Sequence, residues 1–496
     1  MNIYRLYKPF RNYMRQFPTI HSLSVIRAYL QRHQFGQVIP DWIETSRYPL
    51  DMATREQPWE LDLFAKEIVL NASERGSLSF ARWKDFSTAL NMLRALENEI
   101  YGVTPEADRR VLFEIFRIAH RQFPWQSRPN SRGLVRHYKI FSHAELNAIL
   151  RDQIGLDAQQ LYTIGMALIG HYITRFEMRL PAQVKIPLLT PEMFSQFVQH
   201  FSTDLSALKA ATGTSQRYDA DYAYGYNPMR RWPLLRYEEN GSEFFLAPIP
   251  THLFRKFTEG IYYDICSAPG FSQAFGDAFQ SYVGEVFQAV KADRLTIVPE
   301  QPYRVGRDDK RSVDWIVQDG SADLFVECKT KRLRLESKIN FAVTNELDDD
   351  LDKMADAVLQ VYKTIVDALA NRYEHWSWRE KPLFPLIVTL EEWYFLSPDI
   401  ISNLSARVQN KFAESDLDLA LLERYPYTIC GIDDFEFAIQ IMVQVGIEPF
   451  MREKCLSEYR TWNLHGFMSS KFSANLGNVR HSLFDDVFGE IHSALQ

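Results

Sequence analysis

The stretch Ser312-Val-Asp-Trp-Ile-Val-Gln-Asp-Gly-Ser-Ala-Asp-Leu-Phe-Val-Glu-Cys-Lys329 decides the reading of this 496-residue chain. Asp319-Gly320-Ser321 is a turn signal between two runs of β-branched and aromatic residues, Val313 to Val317 and Leu324 to Cys328, so a β-hairpin is expected. Asp314 and Glu327 are equidistant from the point between Gly320 and Ser321. A hairpin closing there without a bulge makes the two carboxylates direct cross-strand neighbours on one face. Lys329 lies two residues beyond Glu327 on the same strand and projects from that face, whereas Leu324, Val326 and Cys328 point the other way.

Two carboxylates at close range repel unless a cation lies between them. A hard divalent ion with oxygen ligands is the economical partner, and Mg²⁺ suits a site that water and substrate phosphate complete. A lysine beside it adds positive charge where a phosphorane would develop and can orient an attacking water. Asp, Glu and Lys together therefore describe phosphodiester hydrolysis better than glycoside or acyl chemistry, which want a bare carboxylate pair or a nucleophile with its base. The rival reading is an exposed hairpin in which Lys329 merely balances Glu327.

Outward from the hairpin, the period of the hydrophobic pattern switches repeatedly. Phe271, Phe275, Phe279, Val283, Val286 and Val290 recur at helical spacing, and Leu295 to Val298 reads as a strand. A second helical stripe carries Leu351, Met354, Val358, Val361, Ile365 and Leu369, followed by strand-like Leu386 to Leu390 and Tyr427 to Ile432 and a helix over Phe435 to Val445. The layout is α/β or α+β with one central sheet flanked by helices.

Asp314 followed by Glu327-Cys-Lys329, after an amphipathic helix and an initial strand, resembles the PD-(D/E)XK nuclease superfamily, whose fold is that of many restriction enzymes. Val313 stands where the family's name has proline. The resemblance implies a restriction-endonuclease-like mixed sheet. It also implies that Asp314 and Glu327 bind Mg²⁺, for which Mn²⁺ can substitute, and that Lys329 assists the nucleophilic water. An acid on the first helix is common in the superfamily, and Glu285 is the candidate third catalytic and metal-binding residue; Gln360 or Lys363 is the candidate polar residue on the second helix. The implied activity is an endonuclease acting on nucleic acid, DNA ahead of RNA, in prokaryotic genome or antiphage defence, and a homodimer suits cleavage of two strands. The alternative is a nuclease-like fold without chemistry, serving as a binding or assembly module.

Basic residues follow the motif at Lys331, Arg332, Arg334 and Lys338 and are expected to grip neighbouring phosphates, whereas the acidic run Glu346 to Asp352 reads as a solvated helix start. Residues 115–144 contain no acid but hold Arg117, Arg121, Arg128, Arg132, Arg136 and Lys139, with Phe116, Phe123, Trp125 and Tyr138 interleaved. That pattern suits a nucleic-acid strand, with Arg128 and Arg132 the residues singled out, or else a basic loop facing water.

Four segments are expected: a mostly helical domain over 1–212, a Tyr/Pro/Arg-rich connector with a short strand and helix over 213–263, the nuclease-like domain over 264–450, and a helical extension over 451–496. Hydrophobic residues make up 46% of the chain and charged residues 24%, which excludes disordered and collagenous classes. The net charge of -7 excludes binding through a uniformly basic coat and confines any phosphate-binding surface to a patch. Cys266, Cys328, Cys430 and Cys455 form no CxxC pair, so a zinc ribbon is excluded and a reducing cytoplasm is expected. The first forty residues carry six Lys/Arg and no acid but no uninterrupted apolar run, which reads as a basic surface helix rather than a signal peptide; no apolar run is long enough for a membrane span.

Overall fold

The computed structural model describes residues 3–47, 55–102, 107–179, 186, 189–239, 241–290, 295–333, 345–377, 379–395 and 398–495. The chain is mixed α/β and divides into two compact units. The first holds residues 1–107, 121–271 and 486–496, and the second holds 108–120 and 272–485.

Helices dominate the first unit. Their apolar stripes meet in one core that contains Phe10, Phe64, Phe80, Phe86 and Trp125. Residues 213–263 are not a connector. Strands β1 (Glu177–Arg179), β2 (Ser202–Asp204), β3 (Leu234–Glu239) and β4 (Ser242–Leu246) form one sheet in the order β1-β4-β3-β2, so the segment completes a sheet begun well before it. Leu235 and Leu246 of that sheet are buried in the helical core.

The second unit is built on a five-stranded sheet. Its strands are β5 (Thr296–Pro299), β8 (Trp315–Gln318), β9 (Asp323–Lys329), β10 (Leu383–Thr389) and β11 (Thr428–Gly431), in the order β11-β10-β9-β8-β5. The pairs β5–β8 and β8–β9 are antiparallel, and β9–β10 and β10–β11 are parallel. Helix α1 (Phe271–Val290) precedes the sheet, and the two parallel pairs are joined by crossovers that contain α2 (Asn345–Leu369) between β9 and β10 and α3 (Pro398–Glu414) between β10 and β11. β10 is buried at all seven positions, which accounts for its unbroken apolar run Leu383 to Val388.

The two sheet faces carry different helices. On one face, the Trp315 indole donates to the Gln280 carbonyl of α1 at 3.1 Å and lies on Gly284. A Cβ there would stand 2.3 Å from the ring, so only glycine permits this approach. Phe287 of α1 packs on Phe435 of α4 (Ile432–Val445), and Tyr282 donates to Glu436, so α4 shares that face. On the other face, Ile316 and Phe325 join Leu351, Val358, Tyr362 and Ile365 of α2 in a second core.

Between β5 and β8 the chain forms a two-stranded ribbon, β6 (Pro302–Val305) and β7 (Asp308–Arg311), which the sequence pattern did not suggest. Gly306 turns it with φ +63°, and Tyr303 and Lys310 both donate to the buried Asp367 of α2. Residues 451–485 are not a separate extension. Helix Ile447–Lys454 begins against the β8–β9 turn, where Asp319 accepts from the Ile447 N–H at 2.9 Å and Ser321 from that of Glu448 at 3.0 Å. No helix among the described residues is long and apolar enough to cross a membrane.

Candidate active site

The β8–β9 hairpin closes in the expected register: Trp315 faces Val326, Ile316 faces Phe325, Val317 faces Leu324 and Gln318 faces Asp323. Asp319 holds the turn by accepting from the N–H groups of Ser321 and Ala322. One step beyond the ladder, the register carries Asp314 to Glu327. Asp314 Oδ2 accepts from the Cys328 N–H at 2.6 Å, which ties the acid to the neighbouring strand. Trp315 occupies the α1 face, so Asp314 beside it faces α2.

Glu327 is 2% exposed, although it is charged and near a strand end. Its Oε1 accepts from Lys329 Nζ at 2.7 Å, and the same ammonium donates to Gln360 Oε1 of α2 at 3.1 Å. Glu327 Oε2 is buried without a hydrogen-bond partner among the described residues. Burial pushes the Glu327 carboxyl above the usual range, Asp314 and Glu300 add to the rise, and Lys329 only partly offsets it. Burial likewise raises Asp314, with the Cys328 N–H and Lys329 pulling back and Glu300 pushing further up. Burial works against the Lys329 ammonium, but Glu327 and Asp314 outweigh it and hold its pKa above the ordinary lysine value. The Lys329 ammonium thus serves both Asp314 and Glu327, while Glu300 has the exposed Arg311 at 3.5 Å, and the pair is short of positive charge.

Glu300 is a functional candidate that sequence reasoning missed. It follows β5, whose register with β8 pairs Pro299 with Trp315 and so brings Glu300 opposite Asp314. Three carboxylates, Glu300, Asp314 and Glu327, therefore stand at successive positions across the ends of β5, β8 and β9. Residue spacing could not reveal this, because the ribbon separates Glu300 from Asp314 in the chain.

The remaining candidates are scattered. Glu285 is half-buried on α1, next to the Gly284 that meets Trp315, on the helix that covers the opposite face of the sheet. Lys363 is exposed on α2. Lys331 pairs at 2.8 Å with Asp350, whose side chain is 0% exposed, and Arg332 is buried with its guanidinium on Glu391 at 3.3 Å. The acidic run at the start of α2 is accordingly not simply solvated. Asp350 is buried under Lys331, Asp348 pairs with Arg407, and Asp352 pairs with Lys411 at 3.0 Å. Arg334 and Lys338 lie outside the described residues.

In the acid-free stretch, Arg117 pairs with Glu114 and Arg121 with Glu97, while Phe116 and Trp125 are buried in two different cores. These aromatics stack on protein. Arg128 is exposed and Arg132 half-buried, both in the first unit.

Among the described residues no three His, Cys, Asp or Glu side chains are grouped as a ligand cage for a metal ion. The carboxylate pair fits a divalent cation on another ground: Glu327 is buried, Asp314 beside it is half-buried, and the two are under-neutralised, with Glu327 Oε2 left unsatisfied. Mg²⁺ in particular is commonly held by one or two carboxylates, with water and phosphate completing the shell.

Compared with protein families, curated proteins and solved structures, the chain matches none.

Proposed function

We propose that the second unit is a restriction-endonuclease-like domain of the PD-(D/E)XK kind and that the protein is a Mg²⁺-dependent nuclease. The observation that carries this reading is the charge-deficient pair of half-buried Asp314 and buried Glu327, with the Lys329 ammonium 2.7 Å from Glu327 Oε1. The mixed sheet order, with the acids at adjacent strand ends and helices on both faces, supports it.

Asp314 and Glu327 would hold the cation, which when bound polarises the phosphoryl group and neutralises its oxygens. Lys329, held protonated by its acid neighbours, keeps its proton and serves as a hydrogen-bond donor rather than a base. Its donors are aimed by Glu327 Oε1 and Gln360 Oε1 from two elements, β9 and α2, which leaves one N–H for a water or a phosphoryl oxygen. A fixed ammonium stabilises charge that develops on the phosphorane without reorganising, which makes Lys329 worth more to the transition state than to bound substrate.

DNA is proposed ahead of RNA, and endonucleolytic cutting in prokaryotic genome defence, within the cytoplasm, is the setting the motif resemblance favours. The competing reading, a binding module without chemistry, has one supporting observation, the lack of a three-residue ligand cage among the described residues. Digestion of plasmid, linear duplex, single-stranded DNA and RNA with Mg²⁺ or EDTA separates the two. Cleavage of at least one substrate that needs Mg²⁺ is expected; binding without cleavage of any would favour the module.

A further inference from the structure

Beside the candidate active site, where β9 ends against α2, lies an open cavity of about 200 Å³. Lys329, Lys331, Lys353 and Gln360 line it, with Asp356 as its acid. We propose that this cavity is a phosphate subsite for a nucleotide adjoining the cleaved one, anchored by Lys353; the inference rests on the nuclease reading above.

The charges around the cavity are not equivalent. Lys329 is turned toward Glu327, and Lys331 is committed to the buried Asp350. Asp356 is answered by Lys411 at 2.7 Å. Lys353 is exposed and, among the described residues, has no ion-pair partner. Its ammonium is therefore, among the described residues, the one lining cation without an ion-pair partner, and the cavity's acid, Asp356, is turned to Lys411, which it shares with Asp352.

Helical spacing gives the cavity its shape. Lys353, Ala357 and Gln360 recur at intervals of four and three and lie on one stripe of α2, the stripe that meets the end of β9. Ala357 keeps the middle of that stripe low, so a bulky anionic group can settle between Lys353 and Gln360. Gln360 belongs to both places, accepting from Lys329 while it lines the cavity. A phosphodiester seated there would lie next to the acids, in reach of the next link of the same backbone.

The lining includes no aromatic residue and no arginine fork among the described residues. Base stacking and paired contacts to base edges are thus not provided, and the recognition is of backbone charge alone. Binding at this subsite is accordingly independent of sequence and sensitive to salt.

Fluorescence anisotropy with a fluorescein-labelled 12-nucleotide DNA strand, its duplex and the matching RNA, all in EDTA to prevent cleavage, tests the subsite. Lys353→Ala should weaken binding roughly five- to ten-fold and lower the slope of log affinity against log salt by about one, and Lys353→Arg should restore most of both. Arg307→Ala, an exposed charge at the tip of the ribbon, serves as the control and should change neither. Wild-type affinity and slope for Lys353→Ala, or an equal loss in the Arg307 variant, would overturn the subsite while leaving nuclease activity to stand. Failure of the wild-type protein to bind any probe in EDTA would overturn the subsite, whereas the nuclease reading falls only if no substrate is cleaved with Mg²⁺.

Discussion

The backbone N–H of Glu300 donates to the carbonyl of Asp314 at 2.7 Å, one position past the last paired residues of β5 and β8. That bond extends the antiparallel ladder to the row in which Glu327 also stands. A third carboxylate, only weakly answered by the exposed Arg311 at 3.5 Å, is thereby fixed beside a pair that already lacks enough cation. Glu300→Gln should weaken the repulsion, and the unliganded protein should then unfold at a higher temperature at pH 8 than the wild type, with the difference vanishing near pH 5. Thermal unfolding at the two pH values measures it; an equal shift at both would mean that Glu300 acts through packing rather than charge.

The pH dependence of stability has a definite sign. Asp314 and Glu327 have folded-state pKa values raised above those of the unfolded chain, so the folded state binds more protons between the two. Their contribution is fully present below the ordinary carboxylate range and is lost as pH rises through the raised values. Without divalent ions, stability should therefore fall from pH 5 towards pH 8, and Mg²⁺ should restore more of it at pH 8 than at pH 5. Glu392, pushed up to about 7 by burial and by Asp434, adds a decline of the same sign that Mg²⁺ does not touch. Denaturant unfolding with Glu392→Gln isolates the Mg²⁺-sensitive part; a decline that Mg²⁺ leaves unaltered would argue against a cation at the acid pair.

Lys331 is the counter-charge of a fully buried carboxylate. Removing one partner of such a pair leaves a charge without compensation and costs about 3 kcal/mol or more. Lys331→Ala should lower stability by that order, and adding Asp350→Asn should recover most of it. Urea unfolding of both variants checks the cycle, and no recovery in the double variant would place the cost elsewhere.

Gly284→Ala puts a methyl group into the Trp315 indole and should cost roughly 1–3 kcal/mol, the range for overpacking a filled core. Loss of the bond from Trp315 to Gln280 should accompany it. A lower melting temperature with altered tryptophan emission is expected; an unchanged protein would mean that α1 slides off the sheet at little cost.

Residue order alone carried the hairpin because a turn signal lay midway between two strand-like runs, so the facing of Asp314 and Glu327 followed from counting. The two helices and the buried strand β10 were legible for a similar reason, each having a clean period or an unbroken apolar run. The ribbon was not legible, because Asp308, Asp309, Lys310 and Arg311 lack the residues that favour strands. They are held extended by a tight turn at Gly306 and by the grip of Tyr303 and Lys310 on Asp367, contacts made at long range. Glu300 was hidden by the same ribbon. Residues 213–263 gave a mixed signal because their strands pair with β1 and β2, which are only three residues each and carry almost no pattern. The basic stretch 115–144 misled in the other direction: Arg117 and Arg121 answer acids outside the stretch, at Glu114 and Glu97.

The most direct measurement compares Mg²⁺-dependent cleavage of the nucleic-acid panel by the wild type with that by Glu327→Gln and Lys329→Ala, each confirmed as folded by its circular dichroism and melting curve. Cleavage by the wild type, at least 100-fold slower in both variants and abolished by EDTA, is the expected result. Wild-type rates in both variants, or cleavage that persists in excess EDTA, would contradict the assignment of Asp314, Glu327 and Lys329 as the catalytic centre.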